Sequence, residues 1–346
     1  MQYRKLGSTD IDVSVICLGT MTWGEQNTQQ QGFQQMDYAL EQGVNFFDTA
    51  ELYSVPPKAE TYASTETIIG HWLKQSGKRD KVILASKIAG PGEGWIDHIR
   101  QGKTRFNKTN ITQAIDASLK RLQTDYIDLY QLHWPERETK LFDTLGHADA
   151  VDTFTPVVET LEVLAEFIKA GKIRHIGLSN ETPWGVMEFL HAAKQLNLPV
   201  MVSVQNAYSL LNRTYEIGLA EISIREQCGL LAYSPLGFGV LSGKYLNNQS
   251  PEAARITLWP NYARYSSSAG ILATEKYVAL AKQHGLDPAQ MALSFVNSRS
   301  FLTSTIIGAT TMSQLESNIA SADLILSKEV LEGIESIHRE ISNPSP

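Results

Sequence analysis

The stretch VNFFDTAELYS, residues 44–54, decides how the chain is read. Its first four residues read as the end of a buried strand. Asp48 follows, and Tyr53 stands five residues later. An acid and a phenol placed where a hydrophobic strand runs out suit either capping and packing or chemistry. One strand alone does not separate the two.

Working outward, the same kind of segment recurs. Short apolar runs rich in β-branched residues are VICLGT (15–20), VNFFDTA (44–50), VILASK (82–87), YIDLYQLH (126–133), IRHIGLSN (173–180), VMVSVQN (200–206), LLAYSP (230–235) and STIIGA (304–309). Their apolar character is continuous rather than alternating, which suits parallel strands covered on both faces. Helix signals fill the gaps. Asn110 precedes Ile111, Ile115, Leu119 and Leu122, with Gln113 three residues after this expected cap. Thr155-Pro156, Thr182-Pro183 and Asp287-Pro288 read as caps followed by proline at the first helical position. Gly171 is expected to stop a helix over 157–170.

Eight strand–helix units predict a (β/α)8 barrel or an open doubly wound sheet. The strand ends favour the barrel: Asp48, Lys87, His133, Asn180, Gln205 and Ser234 all lie at or just past them. A closed barrel gathers those ends on one rim, whereas an open sheet spreads them along an edge. No linker or composition break divides residues 1–346, so one α/β domain, a TIM barrel, is expected. Residues 2–14 predict a short N-terminal hairpin. The last helix, 327–341, sets Val330, Leu331, Ile334, Ile337 and Ile341 on one face, to pack outside the barrel. Three connections are long: 88–108, 134–153 and 237–270. The first and third are expected to wall a ligand pocket at the rim; the second reads equally well as a surface insertion.

Composition narrows the function classes. Of 346 residues 42% are hydrophobic, enough for a large core, and the net charge of −7 carries no long basic run. Nucleic acid and anionic membrane are therefore not expected partners. No apolar run approaches eighteen residues, and the start MQYRKLGSTD holds no apolar signal core. Cys17 and Cys228 offer neither a zinc spacing nor a disulfide framework. The expectation is a cytoplasmic protein.

Singly, Asp48 reads as a strand-end cap, Lys87 as a solvated lysine, His133 as a core histidine and Tyr53 as packing. Together they come from three consecutive strands, and a barrel makes them neighbours. A phenol with an ordinary pKa of about 10 is a weak proton donor at neutral pH. An ammonium beside it lowers that value, and an aspartate keeps the lysine charged. The imidazole orients a carbonyl. Such a patch protonates an oxygen on which negative charge develops. One histidine and one aspartate are too few for a catalytic zinc site, so no metal is expected. On the following strands Ser179, Asn180 and Gln205 suit a carboxamide, and Tyr233 suits a flat ring. In SPLGFGVLSGKY (234–245), backbone N–H groups exposed by Gly237, Gly239 and Gly243 suit a phosphate. The spacing is not the dinucleotide fingerprint. GATTMSQLESN (308–318) leads from the last strand into a helix, a second anion site by geometry.

These blocks resemble the aldo-keto reductase family, in the branch that includes potassium-channel β-subunits. FFDTAELY resembles its Asp-x-x-x-x-Tyr signature, TETIIG (65–70) its Glu-x-x-x-Gly helix, and SLKRLQTDYIDLYQLHWP (118–135) its longest motif. GLSN, VQNAYSLL, AYSPLGFGVLSGKY and IIGATTMSQLESN follow in the family's order, so the resemblance spans residues 3–325. It implies a barrel without a Rossmann domain and NADPH extended across the rim. By position, Asp48, Tyr53, Lys87 and His133 match the catalytic tetrad, with Tyr53 as proton donor in carbonyl reduction. Ser179, Asn180 and Gln205 match carboxamide contacts and Tyr233 the stacking aromatic. Ser234, Pro235, Leu236, Gly237 and Lys244 match the phosphate contacts. Gly308, Thr310, Gln314 and Asn318 match the adenosine end. Trp23, Trp95 and Trp134, with His133, are expected around a small carbonyl substrate. Two departures stand out. Ser317 occupies a position where many relatives have Glu, and 308–314 lacks the Lys or Arg often found for a 2′-phosphate. Lys244, Tyr262 and Arg264 are the expected substitutes. An NADPH-binding redox sensor with little turnover is the alternative, and a metal-dependent hydrolase using Asp48 and His133 a distant third. The physiological substrate and the oligomeric state stay open.

Overall fold

The computed structural model describes residues 1–139 and 153–345. Eight parallel strands close into a barrel: β3 (Ile16–Gly19), β4 (Phe46–Asp48), β5 (Ile83–Ile88), β6 (Ile127–Leu132), β7 (Ile173–Ser179), β8 (Met201–Ala207), β9 (Gly229–Tyr233) and β10 (Leu302–Ile307). Each lies within or within two residues of an apolar run seen in the sequence. β10 pairs with both β9 and β3, which closes the ring. The expected hairpin is present as β1 (Tyr3–Lys5) paired antiparallel with β2 (Asp12–Ser14). It plugs the barrel floor: Leu6 and Val13 join Cys17, Phe46, Ala85, Leu129, Val202, Leu231 and Ile306 in one buried cluster.

That cluster fixes the layer above it. Side chains alternate along a strand, so a residue two positions on points the same way. Phe46 leads to Asp48, Ala85 to Lys87, Leu129 to Gln131 and then His133, and Leu231 to Tyr233. The apolar floor thus carries a polar storey at the C-terminal ends of the strands.

The outer ring comprises α1 (Gln29–Glu41), α2 (Ser64–Ser76), α3 (Lys108–Leu122), α4 (Val157–Lys169), α5 (Pro183–Leu196), α6 (Tyr215–Arg225), the short α7 (Arg255–Leu258), α8 (Ser268–Gln283), α9 (Pro288–Asn297), α10 (Met312–Ala320) and α11 (Lys328–Glu340). Thr182 and Asp287 cap α5 and α9 as expected, each with proline at the start of the helix. Gly171 follows α4 with φ +74°, a conformation that favours glycine. α11 buries Val330 and Ile334 and starts at Ser327, whose hydroxyl accepts from Val330 N.

Two caps differ from the expectation. α3 is capped by Asn107, not Asn110: Asn107 Oδ1 accepts from Asn110 N at 3.1 Å. The first turn is solvated, so it needs no apolar residue, and periodicity alone starts the helix too late. α4 begins at Val157 without a side-chain cap. The Thr155 hydroxyl and N–H both donate to Glu136 Oε1, a stronger acceptor than any cap role would use.

The Glu-x-x-x-Gly block belongs to packing. Glu66 is fully buried, pairs with Arg121 Nε at 2.7 Å and accepts from Ser86 Oγ at 2.5 Å. A Cβ on Gly70 would lie 2.0 Å from Arg121 O, so glycine lets α2 touch the backbone end of α3.

Candidate active site

Lys87 is the hub of the polar storey. It is fully buried, and its Nζ donates to Asp48 Oδ2 at 2.6 Å, to Thr49 O at 2.8 Å and to Tyr53 OH at 3.2 Å. Every ammonium proton is therefore spoken for. The His133 ring meets the Tyr53 ring edge-on, with centroids 5.6 Å apart. The four residues expected to share a patch do share one.

Tyr53 reaches it through the segment that follows β4. Glu51, fully buried, pairs with Arg100 and accepts from Ala89 N at 2.7 Å. This ties the tyrosine's segment to the 88–108 connection. Arg100 Nη1 reaches the second carboxylate oxygen at 2.9 Å, making the pair bidentate. Glu51 lies inside the opening stretch, yet nothing in one sequence separates a buried tether from a surface acid.

The charges have definite consequences. Burial pushes the Tyr53 phenol above its ordinary value; Lys87 pulls it down, and Asp48 opposes Lys87. Lys87 lowers the phenol as expected, but burial outweighs it and the net direction is upward. Desolvating a phenolate in this pocket outweighs one neutralised ammonium. Burial depresses Lys87, but the adjacent Asp48 more than restores it, so the lysine stays charged. His133 is pushed well below its usual range, first by burial and then by the charge on Lys87, so it is neutral at pH 7. Cys17, deep in the barrel floor, is raised well above the thiol range by burial and is inert.

Asp48 has further partners. Gln131 Nε2 and Gln205 Nε2 both donate to its Oδ1, at 3.2 and 2.8 Å. Asn180, at φ +53°, donates to His133 O at 2.8 Å and accepts from Tyr233 OH at 2.6 Å. Ser179 Oγ donates to Gln205 O at 2.9 Å. Ser179, Asn180, Gln205 and Tyr233 thus form one network beside the tetrad. Its donors are committed internally, which leaves acceptor oxygens as its free capacity. An amide –NH2 is the complementary group.

Beyond β9 the chain coils tightly. Ser234, Gly237, Phe238, Gly239 and Gly243 all have positive φ, with Pro235 and Leu236 between them. The N–H groups of Gly237, Gly239 and Gly243, expected to meet a phosphate, instead donate to Ser234 O, Leu236 O and Val240 O, because the coil closes its own tight turns. A Cβ on Gly239 would sit 2.8 Å from Lys244 Cε and Nζ, so glycine admits the lysine across the coil. The guanidinium carbons of Arg255 and Arg264 lie 4.9 and 4.8 Å from the Phe238 ring centroid, and Tyr262 packs on the same ring. Among the described residues no carboxylate pairs with Lys244 or Arg255. Arg255 was missed in the sequence; a basic residue inside a long rim connection was the available signal. After β10, Gly308 has open space where a Cβ would stand. Gln314 Oε1 accepts from Thr310 N and Oγ1, and Asn318 Nδ2 donates to Gly308 O. These residues shape the β10–α10 turn.

The tryptophans divide. The Trp134 ring lies 4.9 Å from His133 and 5.3 Å from Trp95, and Trp95 is 48% exposed. Trp134 shares a buried cluster with Tyr53 and with Ile96 and Ile99 of the first long connection, and Trp95 reaches that cluster through Trp134. Trp23 does not join them. It is fully buried in the core, its Nε1 bonded to Gln35 of α1, and a Cβ on Gly32 would touch its ring. The turn after β3 folds back on itself, with Trp23 N bonded to Thr20 O, and swings the indole outward between helices. Met21 takes the position near Tyr53 instead. Of the second long connection, 134–153, residues 140–152 lie outside the described residues.

The aldo/keto reductase family model matches residues 15–339 of this chain. The chain belongs to that family. It is 50% identical to protein tas of Escherichia coli K12, over the full length of both chains. It is 29% identical to an L-glyceraldehyde 3-phosphate reductase of E. coli O157:H7, covering 97% of this chain and 92% of that one. A probable voltage-gated potassium channel subunit beta of Arabidopsis thaliana is also 29% identical, over 97% and 96%. As a family member the chain is an oxidoreductase on a TIM barrel, and no described helix is long and apolar enough to cross a membrane.

Proposed function

We propose that this protein is an NADPH-dependent reductase of small aldehydes or ketones, with Tyr53 as proton donor. The observation that carries the reading is the Asp48–Lys87–Tyr53 chain of hydrogen bonds, 2.6 and 3.2 Å long, beside a neutral imidazole. Bound NADPH supplies the hydride that reduces the carbonyl carbon. The acceptor-rich network of Ser179, Asn180 and Gln205 fits its carboxamide. Lys244, Arg255 and Arg264, packed against the coil over 234–243, fit phosphate by charge, and the open space at Gly308 fits the adenosine end. Preference for the 2′-phosphate rests on those three cations.

The chain's own residues divide the work. Neutral His133 directs a carbonyl oxygen toward the Tyr53 hydroxyl. Tyr53 gives its proton as negative charge builds on that oxygen. Lys87 then faces the nascent phenolate at hydrogen-bond distance and stabilises it, and Asp48 keeps Lys87 protonated and in place. Without Lys87 the buried phenolate would face its full desolvation cost. Trp95, Trp134 and Met21 keep water from the reacting atoms and select for small apolar substituents. Two buried, unbridged cysteines suit a reducing, cytoplasmic setting.

The likeness to a potassium channel subunit favours a second reading, a cofactor-binding sensor with little turnover. NADPH oxidation over a panel of aldehydes, ketones and quinones separates the two. Reduction of at least one carbonyl class, lost by a factor of roughly 100 or more in Tyr53→Phe, is the expected result. Tight NADPH binding without oxidation across the panel favours the sensor. Full reduction by a folded Tyr53→Phe would sink the proton-donor assignment.

A further inference from the structure

The structure assigns Gln131 a role as a positioning residue: it locks the side-chain amide of Gln205 so that Gln205 presents its carbonyl oxygen to a bound carboxamide. This rests on the cofactor reading above. Gln131 is fully buried on β6 and lies outside the tetrad. Its Nε2 donates to Asp48 Oδ1 at 3.2 Å, and its Oε1 accepts from Gln205 Nε2 at 3.1 Å. Gln205 Nε2 also donates to the same Asp48 oxygen at 2.8 Å. The three side chains close a ring.

The direction of that ring is not arbitrary. An ionised carboxylate only accepts hydrogen bonds, so both amides must turn N–H toward Asp48. Asp48 is the carboxylate of an ion pair with the Lys87 ammonium, 2.6 Å away. Gln131, having turned its N–H inward, must offer its carbonyl to Gln205. Both protons of Gln205 Nε2 are then used, one on Asp48 and one on Gln131. A single bond would let the amide pivot about Asp48; the second fixes its plane. What Gln205 has left is Oε1, which takes no hydrogen bond from the described residues. It suits a carboxamide –NH2 and no group lacking a donor.

The test compares NADP+ with its 3-acetylpyridine analogue, in which the carboxamide –NH2 is a methyl. Dissociation constants come from quenching of tryptophan fluorescence, in wild type and in Gln131→Met. The expected result is that discrimination in favour of NADP+ falls about fivefold in the variant, the worth of one neutral hydrogen bond. A general weakening of the fold would move both constants together and leave their ratio alone. Gln131→Leu replaces the methionine variant if the thioether does not pack. In the wild-type protein, the Gln131 and Gln205 side-chain Nε2 protons should exchange slowly by NMR; rapid exchange of both overturns the ring. An unchanged ratio in a folded variant overturns the role of Gln131 while leaving the cofactor reading intact. A wild type that binds neither dinucleotide removes the cofactor reading, and the role of Gln131 with it.

Discussion

At the scale of single residues, protonation states set the chemistry. Tyr53 is raised by burial, and His133 is depressed by burial and by Lys87. The donor form of the phenol therefore persists above its ordinary titration, and the imidazole is already neutral below its own. Neither group changes state between about pH 7 and 9, so kcat/KM for carbonyl reduction should be flat across that window. A histidine-like inflection near neutrality would contradict the neutral His133 assigned here. Replacing the tryptophans should separate packing from access. Trp23→Ala removes a fully buried indole and its bond to Gln35, and should cost about 3–5 kcal/mol in chemical denaturation. Trp95→Ala, at a half-exposed position, should leave the denaturation midpoint nearly unchanged and alter KM for aromatic carbonyls. Equal destabilisation by both would refute the division.

At the scale of elements, glycines and caps decide how closely parts approach. Gly70 is the clearest case, because the backbone of Arg121 stands where its Cβ would be. Gly70→Ala must push α2 from α3 and strain the Glu66–Arg121 pair between them. A loss of at least 1–3 kcal/mol, roughly the cost of overpacking, is expected in a urea melt. An unaffected midpoint would mean that the helices separate without cost. The shift of the α3 cap from Asn110 to Asn107 belongs to this scale too. Hydrophobic periodicity locates the buried part of a helix, whereas a solvated first turn is marked only by its polar cap. Strands were easier: most of each strand is buried on both faces and reads as an apolar run, although charges such as Asp128 and Arg174 fall near the start of β6 and β7.

At the scale of the whole molecule, the proposed cofactor would bridge loops from β7 round to β10 and should stabilise them together. NADPH at a hundredfold excess over its Kd adds about 2.7 kcal/mol, or a melting shift of roughly 4 °C. NADH should give a smaller shift, since it lacks the phosphate that Lys244, Arg255 and Arg264 would hold. Equal shifts for the two dinucleotides would leave those cations without that role. By itself the sequence determined the eight strands, their order and the residues at their C-terminal ends, because burial on both faces and alternation of side chains are local properties. It also determined Asp48, Tyr53, Lys87 and His133, since each ends or follows one of three consecutive strands. Only the tertiary structure decided that Trp23 turns into the core, that Glu51 and Arg100 anchor the tyrosine's segment, and that Gln131 joins Gln205 on Asp48. It also decided that burial outweighs Lys87 in the acidity of Tyr53. These outcomes depend on which side chains from distant segments share a space, and on how completely that space excludes water. Neither is written in the spacing of residues along one strand.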